Sequence, residues 1–375
     1  MNRYIREIWI SLLGSLGAGL VFLFFGFLFP DDIWSLRVPF WLLPLTVALL
    51  VFPFIYALRK LRRTEEPHNV LVMLSAFERH TYFAEVLRYI IACLDETPAR
   101  DGLTLQAVVN APRAQYNRAN QLRHLNEALR RRHEYVGALI VPVDPNNAKG
   151  DLAEFVQRFE RPVVFFDTNP CLQPAEYTPG SCFVGVDDRA GGQLAAAAMV
   201  HELRRLDPPV ARPRILVLPG GFHEAREECF AEVVRRELAG AVVETANPSY
   251  FDRDKARRLA RNLLAEAAEK RLSYDGAFCT GDEMALGFIE AVRERNGSGV
   301  SERLVVIGYD GINEARRLLD RRESPLKNTV VQDSQQLGES VVFQMTTRHK
   351  QDRARDSSPE IFLKPRLYHS LAETP

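Results

Sequence analysis

The chain has 375 residues, and its 48 basic and 48 acidic side chains give a formal net charge of zero. This neutral balance argues against the basic surface that nucleic-acid-binding proteins need. The five cysteines are odd in number and lack Cys-x-x-Cys spacing, which is typical of reduced thiols and argues against a disulfide framework or a zinc site.

Two apolar runs occupy the first sixty residues. Residues 8–29 and 40–58 are each long enough, as helices, to cross the roughly 30 Å hydrocarbon core of a bilayer. They predict a transmembrane helical hairpin within residues 1–66. A cleaved signal peptide fits less well, because the first run is too long and no small-residue cleavage site follows it. An apolar hairpin in a soluble core is the other alternative, but residues 22–29 offer no polar face.

The charges that flank the hairpin predict its orientation. Arg3 and Arg6 precede the first run and four cations lie within residues 59–63, whereas the loop 31–37 carries two acidic residues and one cation. Cationic flanks stay on the cytoplasmic side of a membrane. We therefore expect an inner (plasma) membrane protein that contacts lipid through residues 8–58, with its soluble domain in the cytoplasm.

From residue 68 to residue 375, short apolar runs alternate with amphipathic stretches, which is typical of parallel sheets covered by helices. The predicted strands cover residues 70–74, 105–110, 138–141, 163–167, 215–218, 242–245, 277–279, 305–309 and 329–332. The predicted helices cover residues 82–95, 117–132, 152–159, 191–206, 224–238, 253–270, 282–295, 314–320 and 335–349. About 300 residues exceed what one such sheet needs, so we predict an α/β fold with two doubly wound parallel-sheet lobes, a hinge and a central cleft.

A proline-rich segment, residues 169–181, interrupts this alternation and is interpreted as a crossover between the lobes. The first lobe is then expected to comprise residues of about 68–170 and 334–358. The second lobe is expected to comprise about 183–332 and 359–372.

Characteristic residues follow the predicted strands in a recurring order. They are Tyr82-Phe83, Pro162 to Asp167, Gly220-Gly221 with Ala225-Arg226, Asn247 to Arg253, Gly281 to Gly287, Ile307 to Gly311, and Thr329 to Asp333. In this order and spacing they resemble the type I periplasmic sugar-binding proteins of the ribose class, whose fold also forms the ligand-binding core of lac-repressor-like regulators. The resemblance covers residues of about 69–371.

The resemblance implies a ligand site at the carboxyl ends of the strands, where ligands of open α/β sheets lie. Its expected members are Tyr82, Phe83, Asp167, Arg226, Phe251, Asp310 and Gln332. Charged groups and the amide suit sugar hydroxyls, and aromatic rings suit the C–H faces of a sugar. Because an open cleft is hydrated, we expect loss of Asp310 or Arg226 to weaken binding and to change stability little.

Each of these residues also has an ordinary structural explanation. An aspartate at a strand end often caps the next helix, and we prefer this interpretation for Asp282. An aromatic residue after a strand often belongs to the core, and Arg226 could be a solvated helix residue. Three departures from the family pattern (Gly281 in place of Asn, Thr168 in place of Arg, and His80 near the usual Asn) leave room for another sugar, a sugar derivative or another small polar ligand.

Catalytic motifs are weak. His223-Glu224 lacks the second histidine of a metalloprotease helix, and no nucleotide-binding loop or nucleophile motif stands out. We therefore expect no enzymatic activity, no cofactor, no metal and no nucleic-acid partner, since a hairpin stands where the regulators carry a DNA-binding domain.

The sequence is thus interpreted as a membrane-anchored sensor or receptor for a small sugar-like ligand, with a homodimer or a membrane signalling or transport protein as its partner. The main alternative is the tethered substrate-binding component of a sugar ABC importer that faces the periplasm. An enzyme that reuses the fold is the third.

Overall fold

The computed structural model describes residues 68–76, 81–101, 104–110, 117–296, 299–322, 324–350 and 358–368. The predicted transmembrane hairpin lies outside these ranges and stays a prediction. None of the helices within them is long and apolar enough to cross a bilayer. The described residues all fall in a compact unit that begins at His68.

Strands and helices alternate along this unit. In chain order they are β1 (His68–Met73), α1 (Thr81–Asp101), β2 (Leu105–Asn110), α2 (Arg118–Arg130), β3 (Tyr135–Ile140), α3 (Pro145–Phe159), β4 (Val163–Phe166), β5 (Ser181–Val186), α4 (Asp188–Arg204), β6 (Arg214–Leu218), α5 (Glu224–Glu237), β7 (Val242–Thr245), α6 (Arg253–Glu269), β8 (Tyr274–Cys279), α7 (Asp282–Glu294), β9 (Val300–Asp310), α8 (Asn313–Arg321), β10 (Leu326–Val331), α9 (Ser334–His349), β11 (Glu360–Leu363) and β12 (Arg366–Leu367).

The first lobe is built on a parallel sheet in the order β11-β5-β4-β3-β1-β2. Alternate residues of β1 point to opposite faces of this sheet. Val70 and Val72 pack in the cluster that contains residues of α1 and α9, whereas Leu71 and Met73 pack with residues of α2 and α3. Helices therefore cover both faces, which explains why its central strands are apolar throughout.

The second lobe repeats this arrangement in the order β12-β10-β9-β8-β6-β7, and only β12 runs antiparallel to its neighbour. One face packs against α4 and α5 through residues such as Met199 and Phe230. The other packs against α6 and α7 through Leu264 and Phe288. The predicted α/β fold with two parallel-sheet lobes is confirmed.

The predicted lobe boundaries need correction. After residues 169–181 the chain returns to the first sheet as β5, which the sequence did not reveal, and it enters the second lobe only at α4. Residues 359–372 were all assigned to the second lobe, but β11 pairs with β5 in the first sheet. The sequence of β5 includes Ser181, Cys182 and Gly185, and β11 has four residues, so neither forms a long apolar run.

Candidate functional site

The carboxyl ends of the two sheets face a single cavity between the lobes. Seven predicted site residues line it, together with two that were not predicted: Tyr82, Phe83, Asp167, Arg226, Phe251, Asp310 and Gln332, and then Thr168 and His223. The cavity volume is about 10 Å³, which is room for about one water molecule. A sugar would therefore need the lobes to separate before it could enter.

Arg226, from the first turn of α5, is the most buried charged residue of the cavity, with 1% of its surface exposed. Its Nε donates to Oδ1 of Asp188 at 2.6 Å, and its terminal nitrogens donate to the Thr280 carbonyl at 3.2 Å and to Oε1 of Gln332 at 3.3 Å. The guanidinium carbon lies 3.9 Å from the centre of the Tyr309 ring. The alternative that Arg226 is a solvated helix residue is wrong.

Asp188, which opens α4, joins Arg226 to His223. Its Oδ2 lies 2.8 Å from Nδ1 of His223. Burial alone would raise the pKa of Asp188, but the charges of Arg226 and His223 hold it well below its usual range. The same Asp188 carboxylate raises the pKa of Arg226 despite the opposing effect of burial. These groups form an ion network that is complete within the second lobe.

His223 also faces the first lobe, because its Nε2 lies 3.8 Å from Oδ2 of Asp167. Sequence reasoning missed both His223 and Asp188 as site residues. Asp188 follows β5, the strand that was missed, so correct assignment of β5 would have placed an acidic residue at this edge. His223 lies inside the segment that implied Arg226, and it was considered only as a metal ligand.

Asp167 directly follows β4 and Asp310 ends β9, and both adopt strained backbone conformations with φ of 64° and 109°. Non-glycine residues rarely adopt positive φ, and such strain concentrates at functional sites. Asp167 accepts a hydrogen bond from the Thr168 hydroxyl at 3.1 Å, and Asp310 accepts one from Nε2 of Gln332 at 2.7 Å. Burial raises the pKa of both carboxyls. Neither side chain caps a helix.

Asp282 does not cap α7 either, contrary to our interpretation. Its Oδ1 accepts a hydrogen bond from the Thr329 hydroxyl at 2.7 Å, and its Oδ2 accepts one from the Ile312 amide at 2.9 Å. It therefore holds the loop that follows Asp310. Burial raises the pKa of Asp282 above its usual value.

Aromatic rings line the cavity from both lobes. The rings of Tyr82 and Phe83 lie 5.5 Å apart at the start of α1, and Phe251 enters from the segment before α6. A Cβ at Gly220 would lie 1.9 Å from the Phe251 ring, and one at Gly281 would lie 2.9 Å from it. The ring thus occupies space that an asparagine at position 281 would need.

The Tyr82 hydroxyl is buried and has no hydrogen-bond partner among the described residues. Burial raises its pKa well above the usual value, and the nearby charges of Asp167 and Asp310 raise it further. A buried donor without a partner costs about 1–3 kcal/mol, so this hydroxyl indicates a place where a ligand would complete the site. Residue 80, the remaining departure from the family pattern, lies outside the described ranges.

Two hydrogen bonds cross between the lobes beside the cavity. The Thr81 hydroxyl donates to Oε1 of Glu283 at 2.7 Å, and the Asn313 amide donates to Oε1 of Glu85 at 2.7 Å. They link α1 of the first lobe to α7 and α8 of the second, and they favour the closed arrangement.

Comparison with curated proteins gives partial matches. The chain is 28% identical over 187 residues to the D-allose-binding periplasmic protein of Escherichia coli, covering 48% of this chain and 55% of that protein. It is 26% identical over 230 residues to the uncharacterized HTH-type transcriptional regulator YvdE of Bacillus subtilis, covering 58% and 61%. It is 24% identical over 208 residues to the ribose import binding protein RbsB of Haemophilus influenzae, covering 54% and 63%. The chain therefore spans less than two thirds of the length of these relatives.

Solved structures match over more of the chain. A glucose-galactose binding protein from Geobacillus stearothermophilus has a TM-score of 0.65 at 19% identity, covering 81% of this chain and 98% of its own. An ABC transporter solute binding protein from Agrobacterium vitis, with bound D-fucose, has a TM-score of 0.65 at 20% identity, covering 81% and 96%. These likenesses show the fold.

The family described as periplasmic binding protein domain matches residues 72–350, which is well over half of the chain. The two parallel-sheet lobes and the cavity at their strand ends agree with this match. The chain belongs to the periplasmic binding protein domain family.

Proposed function

We propose that this chain is a non-enzymatic receptor that closes its two lobes on a single sugar ring or a sugar derivative. We further propose that it is anchored in the inner membrane by residues 8–58 and carries its binding domain in the cytoplasm. Ligand binding would then shift the balance between open and closed lobes, and the membrane hairpin would pass this state to a partner.

The observation that carries the proposal is the convergence of charged, amide and aromatic groups from both lobes on one cavity. Asp167 and the Tyr82–Phe83 pair come from the first lobe, and Arg226, Phe251 and Asp310 come from the second. A sugar needs hydrogen-bonding groups at its edge and apolar surface against its C–H faces, and this cavity offers both.

The relatives support the same class of ligand. The D-allose-binding and ribose import binding proteins are named for sugars, and the structural neighbour from Agrobacterium vitis holds D-fucose. These names describe binding and not catalysis, which supports a non-enzymatic function.

Isothermal titration calorimetry of the full chain in detergent tests the binding function. We expect saturable binding to at least one member of a panel of pentoses, hexoses and their derivatives, and recovery of that ligand unchanged after incubation. Phe251→Ala should weaken binding, whereas Phe362→Ala, which changes an exposed side chain on edge strand β11, should not. Folded protein that binds no member of the panel would contradict the proposal, and sustained turnover of a sugar would favour the enzyme alternative.

A substrate-binding component of a sugar importer is the second candidate, because two of the curated relatives are periplasmic or import binding proteins. That function needs the domain outside the cytoplasm, whereas the charges that flank the hairpin favour the inside. A periplasm-dependent reporter fused after residue 375 should be inactive, and a cytoplasmic reporter should be active. The reverse result would favour the importer. Neutral residues in place of Arg59, Lys60, Arg62 and Arg63 should weaken the orientation.

A further inference from the structure

The charges around the cavity do not balance. Two carboxyls, Asp167 and Asp310, line it, and a third, Asp188, contacts the lining residues Arg226 and His223. Arg226 is the one guanidinium among the described residues of the lining. Asp188 takes the close ion pair with Arg226 at 2.6 Å and also lies 2.8 Å from His223. The positive charge of Arg226 is therefore already matched by a carboxylate of its own lobe.

Asp167 and Asp310 lack a cation of this kind. No arginine or lysine nitrogen of the described residues lies within 4.0 Å of either carboxylate. The Gln332 amide links Asp310 to Arg226, since it donates to Asp310 at 2.7 Å and accepts from Arg226 at 3.3 Å. Asp167 is bonded to the Thr168 hydroxyl and lies 3.8 Å from His223. With all three carboxyls ionised, Arg226 and a protonated His223 would leave one negative charge in excess. Burial raises the pKa of Asp167 and Asp310, so a cation supplied by a ligand is what would keep both of them ionised.

The Tyr82 hydroxyl provides a second, independent indication of a ligand. Tyr82 is 3% exposed, lines the same cavity, and has no hydrogen-bond partner for its hydroxyl among the described residues. Asp167 and Asp310 line this cavity as well, so the Tyr82 ring and both carboxyls face the same space. A ligand that occupies this position would contact the two acceptors and the unpartnered hydroxyl together.

We propose that the ligand carries a protonated amine as well as hydroxyl groups, and that its class is the amino sugars. The ammonium group would donate hydrogen bonds to Asp167 and Asp310 and neutralise charge that the protein leaves uncompensated. The faces of Tyr82, Phe83 and Phe251 suit both the C–H surface of a sugar ring and a cation. The ring hydroxyls would bond to Tyr82, Gln332 and the remaining N–H groups of Arg226. This inference rests on the proposed sugar-binding function.

Matched ligands separate the two proposals. The full chain in detergent is titrated with D-glucosamine, D-glucose and N-acetyl-D-glucosamine, and with the corresponding galactose series. We expect the amine to bind at least tenfold more tightly than both uncharged analogues of the same ring. Equal or tighter binding of an uncharged analogue would overturn the amino-sugar inference and leave the sugar-binding function intact. If folded protein binds neither these sugars nor any other sugar in the panel, both proposals are overturned.

The variant Asp167→Asn tests whether this carboxylate sets the preference for the amine. Asp95→Asn is its matched control. Asp167→Asn should reduce the preference for the amine several-fold, because the amide keeps the shape and loses the charge. Asp95→Asn, on the exposed side of α1, should keep the wild-type preference. A full preference in both Asp167→Asn and Asp310→Asn would contradict the inference, and circular dichroism establishes that each variant is folded.

Discussion

The two walls of the cavity are built differently. In the second lobe, Asp188, Arg226, His223 and Gln332 bond to one another or to the backbone and form a finished network. In the first lobe, the Tyr82 hydroxyl has no partner among the described residues, and Asp167 accepts one hydrogen bond from its own neighbour. The second-lobe wall is thus preorganised, and the first-lobe wall is left for a ligand to complete.

Loss of Arg226 should break the preorganised wall and produce the largest effect. Arg226→Ala leaves the Asp188 carboxylate without its closest cation, and breaking such a buried pair typically costs about 3–5 kcal/mol of stability. This corrects the sequence-based expectation of little effect, since Arg226 is not solvated. Unfolding in urea, followed by circular dichroism, measures the change in the free energy of unfolding.

The matched control for this experiment is Arg236→Ala on the same helix, where the side chain is 63% exposed. An exposed ion pair contributes little, so this variant should unfold at nearly the wild-type urea concentration. Asp188→Asn in the Arg226→Ala background should recover part of the loss. If Arg226→Ala unfolds at the same urea concentration as wild type, the network does not stabilise the fold and the prediction is wrong.

Asp310→Asn should separate binding from stability. Removal of a charged partner in a desolvated site is expected to cost about 2–5 kcal/mol of ligand affinity. The unliganded protein should instead become more stable, because burial raises the pKa of Asp310 and the folded state disfavours the ionised carboxyl. Asparagine also tolerates the positive φ of this position better than most residues.

The sign of the pH dependence follows from the raised pKa. A carboxyl whose pKa is raised in the folded state contributes stability that is fully present below its unfolded-state pKa of about 3.9. This contribution is lost as pH rises through the folded-state pKa. The stability advantage of Asp310→Asn over wild type should therefore grow with pH above about 4. An advantage that shrinks as pH rises would show that the folded state favours ionised Asp310.

Gly281→Ala should produce a smaller effect by forcing the Phe251 ring to move. The new Cβ would lie 2.9 Å from the ring and 3.3 Å from Oδ2 of Asp310. Overpacking of this kind typically costs about 1–3 kcal/mol. Calorimetry should show weaker binding. Gly150→Ala, where a Cβ meets nothing within 4 Å, is the control and should bind as wild type. Unchanged binding by Gly281→Ala would mean that Phe251 is free to shift.

The sequence predicted the two-lobed fold because most strands are buried on both faces and therefore form apolar runs. Val163–Phe166, for example, is fully buried and apolar. It also placed seven residues at strand ends that do line one cavity, although their binding role stays a prediction. The pattern was informative because the carboxyl ends of parallel strands meet at one edge.

What could not be predicted depended on packing between distant segments. The position of the crossover depends on β5, whose mixed composition hides a strand that is buried throughout. The pairing of Arg226 with Asp188 joins two helices across 38 residues, and no local spacing indicates it. The role of Asp282 also required the structure, since its partners Thr329 and Ile312 come from other elements.

The smallest expected effect comes from the hydrogen bond between Thr81 and Glu283, one of the two that hold the walls of the cavity together. Thr81→Val removes the hydroxyl that donates to Glu283 at 2.7 Å and keeps the shape of the side chain. One such hydrogen bond contributes about 1 kcal/mol, so the unliganded protein should open more often and its apparent affinity should fall by that amount or less. Hydrogen–deuterium exchange should become faster in the segments that face the cavity.

Thr97→Val, which removes a hydrogen bond within α1 to the Cys93 carbonyl, is the matched control and should leave exchange at the cavity unchanged. Faster exchange at the cavity in both variants would mean that general loosening of α1, and not the bond between the lobes, controls opening.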